Sequence, residues 1–186
     1  AACALAGRAA RGWVIYCVIA ALAQAGIMAP ELLRPPSETV SGSDAPVVRI
    51  VWLNTWLGGR ASEDVLRYLE AGDADFLLVA ELHDEGQAEF DRLHELYPTA
   101  IRCRGGHECN TIIFAKREPI SIETHSGVRS AVGEFDIDGA PLRLIAAHVR
   151  RPNPPGPQRR ELETLAQIIG DNPVDTILAG DFNSTP

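Results

Sequence analysis

The sequence predicts an α/β fold in which mixed β-sheets are covered by helices on their outer faces. Two observations favour this class. Short apolar segments rich in β-branched residues alternate along the chain with amphipathic segments of helical period. Some successive strands are separated by a helix, which favours parallel neighbours, and others by a tight turn, which favours antiparallel ones. With 186 residues, 46% of them hydrophobic, the chain is long enough to bury a core.

The first half of the folded part alternates strand and helix. A buried strand is predicted at 47–54, which is mostly apolar. A helix is predicted at 61–72, where Ser62 can cap the N-terminus. A second buried strand is predicted at 75–81, and a second helix at 85–98, where apolar residues recur at helical spacing.

The second half contains a hairpin as well as a helix. Strands are predicted at 110–116 and 120–125. The hairpin covers 132–149, and its Asp138-Gly139 dipeptide is typical of a two-residue turn. A helix at 156–170, with proline in its first turn, precedes the last strand at 174–180.

The N-terminal part differs from the rest. Residues 1–33 are predicted to be a membrane segment with a transmembrane helix at about 12–30, because Gln24 is the only strongly polar side chain in that run. Arg8 and Arg11 precede the run and favour a cytoplasmic N-terminus, which places the following domain outside the cytoplasm. A signal peptide and a soluble core helix are the alternatives.

A linker and a folded domain follow the apolar run. Residues 34–46 are rich in Pro, Ser and Gly and are predicted to be a linker, so that the folded domain covers 47–186. The formal net charge of −8 argues against binding of nucleic acid through overall charge, since that mode needs a basic surface. It does not exclude an enzyme that uses bound cations to meet phosphate.

Polar side chains follow four of the predicted strands. Asn54 ends the first strand and Glu81 the second, His148 ends the return strand of the hairpin, and Asp181 and Asn183 follow the last strand. Loops at strand ends are where a rigid scaffold displays chemistry. Side chains of Asn, Glu and Asp supply the oxygen ligands that Mg²⁺ or Mn²⁺ prefers, and a lone histidine suits proton transfer or stabilisation of a phosphate. The pattern therefore indicates a functional site.

Each of these residues also has a purely structural interpretation. Asn54 can close a turn, Glu81 can begin a helix, and His148 can be a buried structural histidine. Asp181 and Asn183 can form an Asx turn. Their recurrence at four strand ends favours a site over four separate coincidences.

The segments that carry these residues resemble the endonuclease/exonuclease/phosphatase superfamily, which has the DNase-I-like fold. They are VRIVWLNTW, DADFLLVAELHDE, LRLIAAHVRRPNP and ILAGDFNSTP, in the family's order, with NTIIFAKREPI in the middle. The resemblance covers about 47–186. It implies a four-layer α/β/β/α sandwich, incomplete at the C-terminus, and cleavage of phosphate esters by a divalent-metal-dependent hydrolase. The preceding apolar segment resembles a bacterial subgroup anchored in the inner membrane with its domain on the periplasmic side.

The resemblance also implies roles for the residues at the strand ends. Glu81, helped by Asn54, would hold Mg²⁺ or Mn²⁺ against the phosphoryl oxygens. Asp181 would orient or deprotonate the attacking water, and Asn183 would hold that water or a phosphate oxygen. His148 would donate a hydrogen bond to the phosphate and stabilise the charge of the transition state.

The sequence departs from the family pattern at three places. Ala80 stands where the family often has Gln before the metal-binding Glu, which removes one supporting hydrogen bond. Ala115-Lys116-Arg117 stands where it often has Ser-Arg, so that Arg117 is the expected counterpart of an arginine at the substrate phosphate. The family's closing Ser-Asp-His motif is not in the sequence. We therefore expect a fragment that is inactive or nearly so.

Two further pairs of residues are candidates for function. Arg150 and Arg151, in a proline-rich loop, are interpreted as contacts to a phosphate or an anionic headgroup, and a solvated loop is the alternative. Cys103 and Cys109 are predicted to form a disulfide, which fits an oxidising location outside the cytoplasm. Two free thiols, or a zinc site that includes His107, are the alternatives.

The sequence leaves three functions open. The first is a membrane-anchored phosphodiesterase or nuclease, and the second is a phospholipid or sphingomyelin phosphodiesterase on the same fold. The third is a non-catalytic binding domain, which would not need the complete set of polar residues. The expected partners are a phosphodiester substrate, either nucleic acid or a phospholipid headgroup, and the membrane through the N-terminal helix. No protein partner is predicted.

Overall fold

The structure is a computed structural model that describes residues 2–33, 47–55, 63–82, 88–104 and 109–184. It divides into two units, Ala1–Asp44 and Ala45–Pro186. The predicted linker at 34–46, Ser62 and His107 lie outside the described residues.

The first unit contains one long helix, α1 (Ala2–Leu32). Its segment Gly12–Pro30 has a mean hydropathy of 1.8, and none of that segment is buried. It is the one helix in the described ranges that is long and apolar enough to cross a membrane, a test that a signal sequence also passes. The helix is therefore compatible with the predicted anchor and with the signal-peptide alternative.

The second unit contains three helices and eight strands within the part of the chain that the structure describes. They are β1 (Ile50–Asn54), α2 (Glu63–Ala71), β2 (Phe76–Ala80), α3 (Ala88–Leu96), β3 (Thr99–Arg102), β4 (Thr111–Ala115), β5 (Ser121–Glu123), β6 (Ser130–Ile137), β7 (Ala140–His148), α4 (Pro155–Gly170) and β8 (Asp175–Asp181). Strand β3 is the element that sequence reasoning missed. It has only four residues, and it forms through antiparallel pairing with β4.

The strands form two mixed sheets of four strands each. Their orders are β1-β2-β4-β3 and β5-β6-β7-β8. The pairs β1-β2 and β7-β8 are parallel, and the other neighbours are antiparallel. In the β6-β7 hairpin, Asp138 and Gly139 have φ values of 54° and 90°, the left-handed conformations that a two-residue turn requires. The predicted α/β class with mixed sheets is confirmed.

The two sheets pack against each other through a buried apolar cluster. Phe76 and Ile113 of the first sheet and Phe135 and Leu144 of the second belong to this cluster. The outer faces are covered by helices, with α2 and α3 on the first sheet and α4 on the second. The order of layers is therefore helix, sheet, sheet, helix, as expected for the four-layer sandwich.

A disulfide joins Cys103, just after β3, to Cys109, just before β4. Their Cα atoms are 5.4 Å apart, within the range that a disulfide needs. It closes a loop of the chain next to the first residue of β4.

Candidate active site

The polar residues predicted at strand ends lie at one edge of the sandwich. In the first sheet, the parallel register pairs Asn54 with Ala80, so that Asn54 and Glu81 leave adjacent strands side by side. In the second sheet, His148 is paired with Asp181 at the ends of the parallel strands β7 and β8. Parallel neighbours end at the same edge of a sheet. The packing of one sheet on the other then brings the two pairs together.

Asn54 lies between the two carboxylates. Its Nδ2 donates to Oε1 of Glu81 at 3.3 Å and to Oδ2 of Asp181 at 2.9 Å. The side chain that was predicted to bind a metal therefore holds Glu81 and Asp181 in position. Only its carboxamide oxygen has the chemistry of a metal ligand.

Glu81, His148 and Asp181 form a compact group of possible metal ligands. Their ligand atoms all lie within 4.8 Å of one another, and Nε2 of His148 is 3.5 Å from Oε1 of Glu81. The side chains of Glu81 and His148 are buried and that of Asp181 is half-buried. Two carboxylates brought together away from water repel each other, and a divalent cation between them removes that cost. The two carboxylates therefore fit Mg²⁺ or Mn²⁺, which prefer oxygen ligands.

The backbone of Glu81 adopts an uncommon conformation. Its φ is 61°, in the left-handed region that residues with a Cβ rarely adopt. Such a conformation costs about 1–3 kcal/mol and persists only where the surroundings hold it. Strain of this kind clusters at functional sites.

His148 is held by Asn110, a residue that sequence reasoning did not select. Nδ1 of His148 is 3.0 Å from Oδ1 of Asn110. A carboxamide oxygen only accepts, so this contact is a hydrogen bond in which Nδ1–H of His148 donates. Burial lowers the pKa of His148 below its ordinary value of 6.5, and the Arg129 guanidinium lowers it further, while Glu81 and Asp181 oppose the shift.

Asn110 was missed because the sequence signal used was a polar residue at the end of a strand. Asn110 instead precedes strand β4. This strand runs antiparallel to β2, with Thr111 opposite Ala80. The start of β4 therefore lies at the edge where β2 ends, and only the strand pairing reveals this.

Asn183 fixes the loop that follows β8. Its Nδ2 donates to the carbonyl oxygen of Val149 at 2.8 Å, and its backbone amide donates to Oδ1 of Asp181 at 2.8 Å. Nε2 of Gln158 donates to the carbonyl oxygens of Phe182 and Asn183. Asn183 was predicted to hold water or phosphate, but in the structure its NH₂ group orients the loop and its backbone orients Asp181.

Residues 51–186 match the Endonuclease/Exonuclease/phosphatase family. The chain belongs to this family. Membership confirms the resemblance seen in the sequence. No curated protein matches the chain significantly.

Solved structures share the fold of this family member. Truncated TDP2 from Caenorhabditis elegans has a TM-score of 0.55 and 23% identity, over 74% of this chain and 63% of that one. TDP2 from D. rerio, complexed with a single strand DNA product, has a TM-score of 0.59 and 20% identity, over 75% and 62%. A β-hairpin deletion mutant of beta toxin from Staphylococcus aureus has a TM-score of 0.60 and 11% identity, over 76% and 70%. The chain thus spans less than two thirds of both TDP2 chains.

The location of Arg117 contradicts its predicted contact with the substrate phosphate. Nη1 of Arg117 donates to the carbonyl oxygen of Asp136, and its guanidinium lies 5.8 Å from the centre of the Phe76 ring. Phe76 begins β2, whereas Glu81 follows the end of that strand. At 3.3 Å per residue the two ends are about 13 Å apart. Arg117 therefore lies at the end of the sheet opposite to Glu81, away from the expected position of the substrate phosphate.

The other two predicted arginines are at the correct edge of the sandwich. Arg150 follows β7 by two residues, and its Nε donates to Oε1 of Glu161 at 3.0 Å. Arg151 is exposed in the same loop. Their contact with phosphate stays a prediction.

Asn110→Asp is expected to raise the pKa of His148, because a carboxylate at Nδ1 favours the imidazolium form. The pKa is measured by proton NMR titration of the histidine ring in metal-free protein. The matched control is Asn172→Asp. It adds the same charge just before the start of β8, at the opposite end of that strand from Asp181. An unchanged pKa in Asn110→Asp would contradict the contact between the two side chains.

Proposed function

We propose that the protein is a phosphodiesterase of nuclease type that uses Mg²⁺ or Mn²⁺. The observation that carries this proposal is the group of Glu81, His148 and Asp181, whose ligand atoms lie within 4.8 Å of one another. The group stands at the strand ends of a member of the Endonuclease/Exonuclease/phosphatase family. A non-catalytic binding domain would have no need for two carboxylates and an imidazole held so close together.

Glu81 is the residue proposed to hold the cation through its carboxylate oxygens, with the carboxylate of Asp181 beside it. A bound divalent cation polarises the phosphoryl oxygens and offsets the charge that develops on them. His148 is proposed to donate a hydrogen bond to the phosphate, and its contact with Oδ1 of Asn110 fixes the orientation of the ring for this role.

Asp181 is proposed to accept a proton from the attacking water. As the water oxygen bonds to phosphorus, the bond from phosphorus to the leaving oxygen breaks, and solvent protonates that oxygen. Asn54 and the backbone amide of Asn183 each donate to one carboxylate oxygen of Asp181, which fixes its direction. A catalytic group fixed in this way loses less entropy on the path to the transition state.

The proposed substrate is a nucleic acid phosphodiester. Its support is the fold shared with D. rerio TDP2, whose complex contains a single strand DNA product. A phospholipid phosphodiesterase on the same fold is the second candidate, favoured by the exposed apolar segment of α1, Gly12–Pro30.

The proposed location is outside the cytoplasm, on the periplasmic side of a bacterial inner membrane. Residues 1–33 would form the anchor, 34–46 the linker and 47–186 the enzyme domain. Helix α1 and the disulfide between Cys103 and Cys109 support this arrangement, because disulfides persist in oxidising compartments.

The proposed function is tested with bis-(p-nitrophenyl) phosphate and the full-length protein. We expect turnover with Mg²⁺ or Mn²⁺, loss of turnover in EDTA, and recovery when the cation is restored. Turnover that EDTA leaves unchanged would contradict metal dependence. A folded protein that does not hydrolyse this probe with either cation would favour the binding domain.

A further inference from the structure

We infer that a cleft lined by arginines beside the candidate active site binds a second phosphate of a single-stranded nucleic acid substrate. The cleft has a volume of about 460 Å³, and four arginines are among the described residues that line it. They are Arg104, Arg129, Arg150 and Arg160. The inference rests on the proposed function, since it names the substrate class of that site.

Two hydrogen bonds and one short separation along the chain place this arginine cleft next to His148. The backbone amide of His148 donates to the carbonyl oxygen of Arg129 at 3.0 Å. Arg150 follows His148 by two residues, which places their Cα atoms at most about 7 Å apart. Cys109 lines the cleft, and the next residue, Asn110, holds the ring of His148. The cleft therefore begins one or two residues from the candidate catalytic group.

The arginine cleft keeps an excess of positive charge despite one carboxylate. Oε1 of Glu161 is 3.5 Å from Nε of Arg129 and 3.0 Å from Nε of Arg150. Glu161 also lines the cleft and is 4% exposed, so its largely buried carboxylate holds the side chains of these two arginines in place. Among the described residues that line the cleft there are four arginines and one carboxylate, so these residues carry an excess of positive charge on a protein whose net charge is −8.

The chemistry of the arginine cleft favours a phosphate as its occupant. A guanidinium presents paired N–H donors that match two oxygens of a phosphate. Successive nucleotides are joined by phosphates, so in a nucleic acid longer than a dinucleotide a second phosphate lies next to the one being cleaved. A choline headgroup instead carries a quaternary ammonium next to its phosphodiester, and four guanidinium groups repel it. The charge of the arginine cleft therefore favours a nuclease over a sphingomyelin phosphodiesterase as the function of the protein.

The test uses variants that spare the buried ion pairs. Arg129 and Arg150 are left in place, because their removal would leave Glu161 buried without a partner. Arg104→Gln combined with Arg160→Gln removes the other two charges. Arg159→Gln is the matched control. It removes the neighbouring charge on α4, which is 79% exposed and pairs with Glu163 outside the cleft.

Binding and hydrolysis are measured separately in the full-length protein. In EDTA, fluorescein-labelled hexathymidylate is titrated and followed by anisotropy. The double variant is expected to bind about tenfold more weakly than the wild type, and Arg159→Gln equally well. With Mg²⁺, the wild type is expected to cleave the trinucleotide TpTpT about tenfold more efficiently than the dinucleotide TpT, which has no second phosphate, and the double variant is expected to lose this preference.

The outcomes separate failure of the arginine cleft from failure of the proposed function. Equal binding of the hexanucleotide by the wild type and the double variant would overturn the inference, even with hydrolysis intact. Loss of binding to vesicles of phosphatidylglycerol, with unchanged binding of the hexanucleotide, would overturn it in favour of a lipid headgroup. Binding that depends on the two arginines, without any metal-dependent hydrolysis, would support the cleft and overturn the enzyme.

Discussion

Asp181→Asn is expected to reduce kcat/KM for phosphodiester hydrolysis by about 10³-fold. Asp181 accepts hydrogen bonds from Nδ2 of Asn54 and from the backbone amide of Asn183, at 2.9 Å and 2.8 Å. The substitution keeps the shape of the side chain but removes its negative charge and its ability to take a proton from water. It also replaces one carboxylate oxygen, which accepts a hydrogen bond, by an NH₂ group that faces the N–H donor of Asn54 or of Asn183. Initial rates with bis-(p-nitrophenyl) phosphate and saturating Mg²⁺ measure the effect.

The matched control is Asp175→Asn, the same substitution at the exposed beginning of the same strand. We expect it to leave kcat/KM within about twofold of the wild type, because surface substitutions change little. An equal loss of kcat/KM in the two variants would show that the substitutions disturb strand β8 and would contradict a catalytic role for Asp181. Full activity in Asp181→Asn, from folded protein that binds Mg²⁺, would contradict the role proposed for Asp181.

Gly180→Ala is expected to lower the free energy of unfolding by about 1–3 kcal/mol or more and to reduce activity about 10²-fold. In the parallel register Gly180 is paired with Ala147. A Cβ at position 180 would lie 2.1 Å from the carbonyl oxygen and 2.8 Å from the carbonyl carbon of Ala147. These are backbone atoms, so relief requires β8 to move away from β7. Asp181 is the next residue and moves with it.

Gly170→Ala is the matched control for this variant. Gly170 is the last residue of α4, and a Cβ there meets no atom within 4 Å. Because alanine favours the helix, this variant is expected to be at least as stable as the wild type. Urea denaturation and initial rates measure both variants. A Gly180→Ala protein with wild-type stability and rates would show that the two strands are not as close as the structure has them.

Most of the elements and the polar strand ends could be predicted from the sequence, because both are local signals. Apolar runs and helical periodicity mark the strands and helices, and a polar residue directly after a buried run marks a strand end. Strand β3 was missed, since four residues carry little periodicity, and pairing with β4 stabilises them. Arg117 was placed at the substrate because its sequence position resembles the family, although it follows strand β4, which runs antiparallel to β2.

The sequence by itself determined the class of fold, the order of its elements and the residues Asn54, Glu81, His148 and Asp181. Only the tertiary structure decided what these residues do to one another. Hydrogen bonds between strands and the packing of two sheets join residues that are 127 positions apart in the chain, as in the contact from Asn54 to Asp181. The same long-range packing places Asn110 on His148 and gathers four arginines in one cleft. Neither is a local property, and no periodicity or motif in the chain encodes it.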